Sequence, residues 1–319
     1  MDIIFLGTSS GTPTRARNVS GVALLEEQGS AWYLVDCGEG TQHQLLRAPM
    51  SLMNLQAAFI THVHGDHCYG LPGLLASAGM LGRSLPLHII APVGIEAWIR
   101  ATVQLTQLVL PYELRFVATE ALEKWTYGNW VVEKTPLSHR VPSFAYTFTE
   151  AGTEPKLDTG KLEAHGIPRG PAWGQLRNGM DVTYAGRTLK SSDYICFPHA
   201  PKRVVVAGDN DRPELLREAC RGAHVLVHEA TFTKEIAEGP AKDFGHSSAA
   251  SVASFAQSAG VPNLILTHFS PRYQADASRS PSIEDLRKEA AGNYDGKLFL
   301  AEDLARYRLS RSGELSRTG

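Results

Sequence analysis

The chain has 319 residues, 43% hydrophobic and 20% charged, with 31 Lys+Arg against 33 Asp+Glu. That is ordinary globular composition, enough for two domains or one large domain with an insert, and it excludes a disordered chain, a collagen-like chain and a bulk polycation. No apolar run reaches the ~18 residues of a membrane span, the apolar stretch at 3–6 is too short for a signal peptide, and Cys37, Cys68, Cys196 and Cys220 form no CxxC pair, so a soluble, cytoplasmic protein with reduced thiols is expected.

Along the chain, short β-branched or apolar runs predict strands at 3–6, 22–25, 32–35, 57–60, 87–90, 131–135, 144–149, 204–207, 224–227 and 264–266. Helical patterns lie between them at 41–46, 71–80, 95–105, 214–220, 247–259 and 283–290. A serine pair opens the fifth of these helices, and Gly260 followed by Pro262 stops it. The alternation predicts a layered α/β protein. It lapses between Thr149 and Lys202, a Gly- and Pro-rich stretch centred on residues 166–174. Residues 166–190 carry Arg169, Arg177, Arg187 and Lys190 against Asp181 alone, a local positive excess in a chain of net charge -2. Composition alone reads this as a solvated surface insert.

Chemistry concentrates in His62-Val63-His64-Gly65-Asp66-His67, directly after the apolar run 57–60. Three imidazoles and a carboxylate at the end of a buried strand need a partner, because unpaired polar groups are costly to bury. A metal suits them: imidazole and carboxylate favour Zn2+, with Mn2+ or another divalent ion as the substitute. Three further strand-like runs repeat the arrangement, leading to His139, to Asp209 and to His268. Ligand-type residues thus follow the C-terminal ends of four runs, the end where open α/β sheets build their sites. Seven donors exceed one tetrahedral zinc and fit two ions: His62, His64 and His139 on one, Asp66, His67 and His268 on the other, with Asp209 and a solvent molecule between them. Such a pair suits hydrolysis of phosphate esters.

These residues resemble the HxHxDH signature of the metallo-β-lactamase superfamily, with its later His, Asp and His in order. The resemblance narrows to the bacterial ribonuclease Z family (tRNase Z, RNase BN) and runs through essentially the whole chain. It is carried by Phe5-Leu6-Gly7-Thr8, Pro13-Thr14-Arg15-Ala16-Arg17-Asn18, Asp36-Cys37-Gly38-Glu39-Gly40-Thr41-Gln42, His228-Glu229-Ala230-Thr231, Gly245-His246-Ser247 and Thr267-His268-Phe269-Ser270. It implies a four-layer αβ/βα sandwich over residues 1–319 as a single domain, two zinc ions per subunit, a homodimer, and removal of 3′ trailers from precursor tRNA to leave a 3′ hydroxyl after the discriminator nucleotide. It also implies that residues about 151–200 form a tRNA-gripping arm, which reverses the composition-only reading of a passive insert. The chain departs from the family pattern at Arg15, where lysine is common, and at Asn210, where threonine is frequent.

The resemblance assigns substrate contacts to Arg15, Arg17 and Asn18 in the N-terminal loop and to Gly166, Pro168, Arg169 and Arg177 in the arm. Asp66 is the candidate general base, against a purely structural ligand role. His246, expected near the amides that open the following helix, is the candidate acid for the leaving oxygen or a ligand of the scissile phosphate, and Glu229 is the residue that would orient it, with His228 supporting a ligand. His43, His88, His165, His199 and His224 have no comparable context and are expected to be ordinary residues. Trp173 and Tyr184 are expected to pack within the arm rather than stack on RNA. Two rival readings are a superfamily phosphodiesterase for small substrates, which needs no basic arm, and an RNA-binding module with structural metals, which would close its sites with protein ligands.

Overall fold

The computed structural model describes residues 1–152, 156–196 and 200–319. Among these the chain separates into two compact units, Met1–Thr149 with Arg203–Gly319, and Glu150–Lys202.

The larger unit holds two sheets. The first has eight strands, in the order Leu315–Arg317, Arg306–Leu309, Asp2–Gly7, Gly21–Leu25, Trp32–Val35, Leu55–Phe59, Leu87–Ala91 and Leu114–Ala118. The second has seven, in the order Lys297–Leu300, Asn263–Thr267, Val225–Glu229, Arg203–Ala207, Ser143–Glu150, Trp130–Leu137 and Trp125–Tyr127. Side chains alternate across each strand, so Ile3 and Phe5 enter one core while Ile4 and Leu6 enter another. Both faces of these strands are apolar, as expected of a sheet covered on both sides. The central core joins the two sheets, with Phe59 set against Tyr146 and Phe148 at ring-centroid distances of 5.1 Å. Truncating such a ring costs about 3–5 kcal/mol. Helices Leu71–Met80 and Ile95–Leu105 cover the outside of the first sheet, and Ala249–Ser258 and Ile283–Ala291 the outside of the second. The result is a four-layer αβ/βα sandwich.

Several predicted elements are corrected. The helix expected at 214–220 is a 3-10 turn over Pro213–Leu216, since Pro213 fixes its opening and no amphipathic repeat prolongs it. The helix expected at 247–259 spans Ala249–Ser258: Ser248 accepts from the Ser251 amide in a capping box, while Ser247 turns away and donates to the Asn210 carbonyl at 2.6 Å. Strands at Leu114–Ala118, Trp125–Tyr127, Lys297–Leu300 and Leu315–Arg317 lie outside the predicted set because these edge positions mix charge with apolar residues and blur the alternation, and Arg306–Leu309, one place in from an edge, because it is only four residues long.

The unit Glu150–Lys202 is more regular than its composition suggests. It contains helices Thr159–Ala164 and Pro171–Arg177 and a hairpin of Val182–Tyr184 with Arg187–Leu189. Leu162, Ile167, Leu176, Leu189 and Tyr194 form its own small core, with Trp173 and Tyr184 packed on the edge. Pro171 opens the second helix, where its missing N–H is not needed, and Gly166 ends the first at φ 71°. His199 lies outside the described residues.

Candidate metal centre

Five strands of the larger unit end at one edge and deliver the centre. Leu55–Phe59 leads to His62, His64, Asp66 and His67, Arg203–Ala207 to Asp209, Asn263–Thr267 to His268, Trp130–Leu137 to His139, and Val225–Glu229 to Glu229 itself. His62, His64, His139 and Asp209 form one group of potential metal donors, and Asp66, His67 and His268 a second, the donor atoms within each lying within 4.8 Å of one another. Asp209 faces both. Its Oδ2 lies 3.5 Å from His62 Nε2 and 3.8 Å from His139 Nε2, and its Oδ1 lies 3.4 Å from His67 Nε2 and 3.3 Å from His268 Nε2. Asp66 Oδ2 lies 3.3 Å from His268 Nε2 and 3.5 Å from His67 Nε2.

Outer partners fix the ring tautomers. His67 Nδ1 donates to Asp36 at 2.7 Å, and His139 Nδ1 to the Gly245 carbonyl at 2.7 Å. Thr61 gives its hydroxyl proton to Asp36, so it accepts from His62 Nδ1 at 3.0 Å. Thr231 donates to Glu229 and accepts from His268 Nδ1 at 3.0 Å. The inward ring nitrogens are therefore lone pairs, and His67 Nε2 faces His268 Nε2 at only 3.1 Å. Converging lone pairs and carboxylates repel one another unless a cation sits among them, so this donor set fits divalent metal. Gly245 permits the close approach: a side chain there would meet His139 Nδ1 at 3.1 Å, and its φ is 72°.

Electrostatics follow the same division. Burial and neighbouring imidazoles, His67 for one and His139 for the other, push His62 and His64 below the usual histidine range. Burial opposes charge on Asp66 and Asp209; without an ion, protons on the facing rings, His67 and His268 for Asp66 and His268, His67 and His62 for Asp209, hold both carboxyls well below the usual range, and a bound cation would take the place of those protons. His246 Nδ1 lies 3.0 Å from Glu229 Oε1 and 3.7 Å from Asp209 Oδ2. Burial disfavours its charge, but the Glu229 carboxylate outweighs that and the imidazole is pushed up to about 9. His246 precedes the cap of helix Ala249–Ser258 and turns to Glu229 rather than to the helix amides.

Other candidate residues have different surroundings. Arg15 is exposed and Asn18 half-buried, but Arg17 is only 8% exposed, with Nη2 donating to the carbonyls of Ser270 and Tyr273. Gly166, Pro168, Arg169 and Arg177 belong to the unit Glu150–Lys202, all four exposed, and the Arg169 guanidinium covers the Trp173 ring at 5.5 Å. His228 touches no ligand: its Nδ1 donates to the Glu229 carbonyl and its Nε2 accepts from Asn210 Nδ2 at 3.1 Å. Sequence reasoning gave no role to Asp36, Thr61, Thr231 or Gly11, whose amide donates to Asp66 Oδ2 at 2.7 Å. A signal for Asp36 existed, since it follows strand Trp32–Val35 as the ligands follow theirs.

Two sheets packed face to face, helices outside, and a His/Asp cluster at the strand ends define a metallo-β-lactamase fold protein. A family model described as anti-Pycsar protein Apyc1 matches residues 1–96. The ribonuclease Z of Pseudomonas putida (strain GB-1) is 56% identical over 319 residues, all of both chains, and that of Marinobacter nauticus 51% identical over 317 residues, 99% of this chain and 98% of that one. The crystal structure of the short form of human tRNase Z (ELAC1) superimposes with a TM-score of 0.66 at 25% identity, covering 97% of this chain and all of that one. The chain belongs to the ribonuclease Z family, and it is a metal-dependent endoribonuclease.

Proposed function

We propose that the protein removes 3′ trailers from precursor tRNA by cutting after the discriminator nucleotide to leave a 3′ hydroxyl. The observation that supports this best is the 56% identity to a ribonuclease Z along the full length of both chains. His62, His64 and His139 would hold one ion and Asp66, His67 and His268 the second, with Asp209 offering one oxygen to each. Two divalent ions, zinc with manganese or another as the substitute, lower the pKa of water and neutralise charge on the phosphodiester when bound there.

The protein's own groups do the remaining work. Asp66 takes the proton of the attacking water, its Oδ2 held by the Gly11 amide. His246, kept protonated by Glu229, donates to the departing 3′ oxygen. Asp36, Thr61 and Thr231 keep the ligand rings in register, so the site needs little rearrangement during reaction. The unit Glu150–Lys202 acts as the arm: Arg169 and Arg177 meet phosphates, while Gly166 and Pro168 shape the loop between its helices. Arg15 and Asn18 meet the acceptor end. The reading includes a cytoplasmic homodimer. Exposed Leu46, Met80, Leu81, Leu105 and Val109, on neighbouring helices Thr41–Leu45, Leu71–Met80 and Ile95–Leu105 and their ends, support self-association. No helix among the described residues is long and apolar enough to cross a membrane.

The test is incubation of the zinc-loaded protein with a trailer-bearing tRNA, followed by mapping of both new ends. A single cut after the discriminator with a 3′ hydroxyl on the tRNA is expected. Hydrolysis of small phosphodiesters with the precursor left intact would instead favour a small-substrate enzyme.

A further inference from the structure

The N-terminal loop beside the centre is held to the rest of the chain by the buried Arg17 and the half-buried Asp303, in addition to hydrogen bonds of its own. Its base pairs with the chain beside a ligand: the Phe269 amide donates to Thr8 O at 2.8 Å and the Ser10 amide to Phe269 O at 3.0 Å, immediately after His268. On one side, Arg17 Nη2 donates to Ser270 O at 3.2 Å and to Tyr273 O at 2.9 Å. On the other, Asp303 accepts from three segments: Thr8 Oγ1 at 2.8 Å, the Asn18 amide at 2.6 Å and Gln44 Nε2 at 2.9 Å. Between these anchors Gly11, at φ 72°, aims its amide at Asp66 Oδ2. The Arg17 Nε is buried without a hydrogen-bond partner, and with Nη2 held by two backbone carbonyls most of this guanidinium is committed inward.

We propose that Arg17 and Asp303 form a clasp that fixes the Gly11 amide on Asp66, making both positioning residues for the reaction and leaving Arg15 as the loop's cation for RNA. A buried arginine bonded to two carbonyls cannot swing out to a phosphate without stranding both acceptors, and Asp303 cannot release one loop segment without freeing another. The clasp therefore acts on how Asp66 holds the nucleophile, not on how tightly RNA binds. This rests on the place of Asp66 in the proposed reaction.

The test compares Arg17→Met, Asp303→Asn and Arg15→Met on precursor tRNA and on bis(4-nitrophenyl) phosphate, with ions per chain and the salt dependence of tRNA binding measured alongside. Arg17→Met and Asp303→Asn are expected to lower kcat about 10- to 100-fold on both substrates, as small misplacements of reacting groups do, with KM for tRNA, salt dependence and metal content unchanged. Arg15→Met should instead raise KM and flatten the salt dependence. A raised KM and flattened salt dependence for Arg17→Met, with the small substrate cut normally, would show that Arg17 contacts RNA and overturn the clasp. Unchanged kcat in both clasp variants would also overturn it. Should Arg17→Met fail to fold by circular dichroism, Arg17→Gln, which reaches one carbonyl, carries the same comparison with a smaller fall. If the wild type cuts only the small substrate, the tRNA reading fails while the clasp is still decided by kcat on that substrate.

Discussion

Asp36 sits behind His67 and is 5% exposed; its Oδ1 accepts from the Thr61 amide at 2.8 Å, and its Oδ2 from Thr61 Oγ1 at 2.9 Å and His67 Nδ1 at 2.7 Å. Asp36→Asn keeps the shape and the first bond but points an NH2 at two donors. His67 can relieve the clash only by moving its proton to Nε2, the nitrogen that faces Asp209 and Asp66. A hydrogen bond to a charged group is worth about 1.5–3 kcal/mol, which matches the 10- to 100-fold affinity loss typical when a group behind a metal ligand is changed. Competition with a graded chelator, with elemental analysis of ions per chain, should show one ion weakened by about that factor and the other by much less. Melting of the metal-free variant, expected a few degrees lower, separates folding from metal binding. Equal affinity for both ions in variant and wild type would refute the tautomer argument.

Three further outcomes follow from the same geometry. His246→Ala should slow single-turnover cleavage of precursor tRNA by about 10²- to 10⁴-fold with both ions retained, and Glu229→Gln should act in the same direction; an unimpaired His246→Ala protein would remove that residue from the chemistry. Replacing residues 151–201 by a short glycine-serine turn should preserve metal content and hydrolysis of a small phosphodiester while abolishing tRNA cleavage, because Thr149 and Arg203 are already antiparallel neighbours and the excised unit has its own core; equal loss on both substrates would mean that the segment supports the catalytic fold. At the opposite end of strand Asp2–Gly7, burial favours the neutral Asp2 carboxyl, but hydrogen bonds from Arg308 and Arg306 at 2.8 and 2.9 Å hold its pKa below the usual range. Its contribution is present above the unfolded value near 4 and is lost as pH falls through the lower folded value, so Asp2→Asn should cost about 1–2 kcal/mol at pH 7, with solvent screening allowed for, and progressively less below pH 4 by urea denaturation.

What the sequence reveals here depends on whether a role is carried by residue type or by backbone placement. The strand ends show plainly: apolar runs at 57–60, 204–207 and 264–266 feed histidine and aspartate into one edge, and the structure gathers those donors within a few ångströms. Periodicity also predicts the helices Leu71–Met80 and Ile95–Leu105 to the residue, since their apolar spacing reflects one buried face. Edge strands escape because solvent on one side dilutes the alternation, and the segment 150–202 escapes because elements of two to seven residues carry too few positions to show a period. The groups that set the ligand tautomers are less visible still. Gly245 acts through its carbonyl, Gly11 through its amide, and Thr61 and Thr231 through hydroxyls relaying a carboxylate two bonds away. Arg17 makes the point from the other direction: its residue type and its place in a basic loop suggest a phosphate contact, whereas its burial and two carbonyl acceptors commit that charge to holding the loop. Only the fold decides whether a charge in the sequence faces water, a substrate or the chain's own backbone.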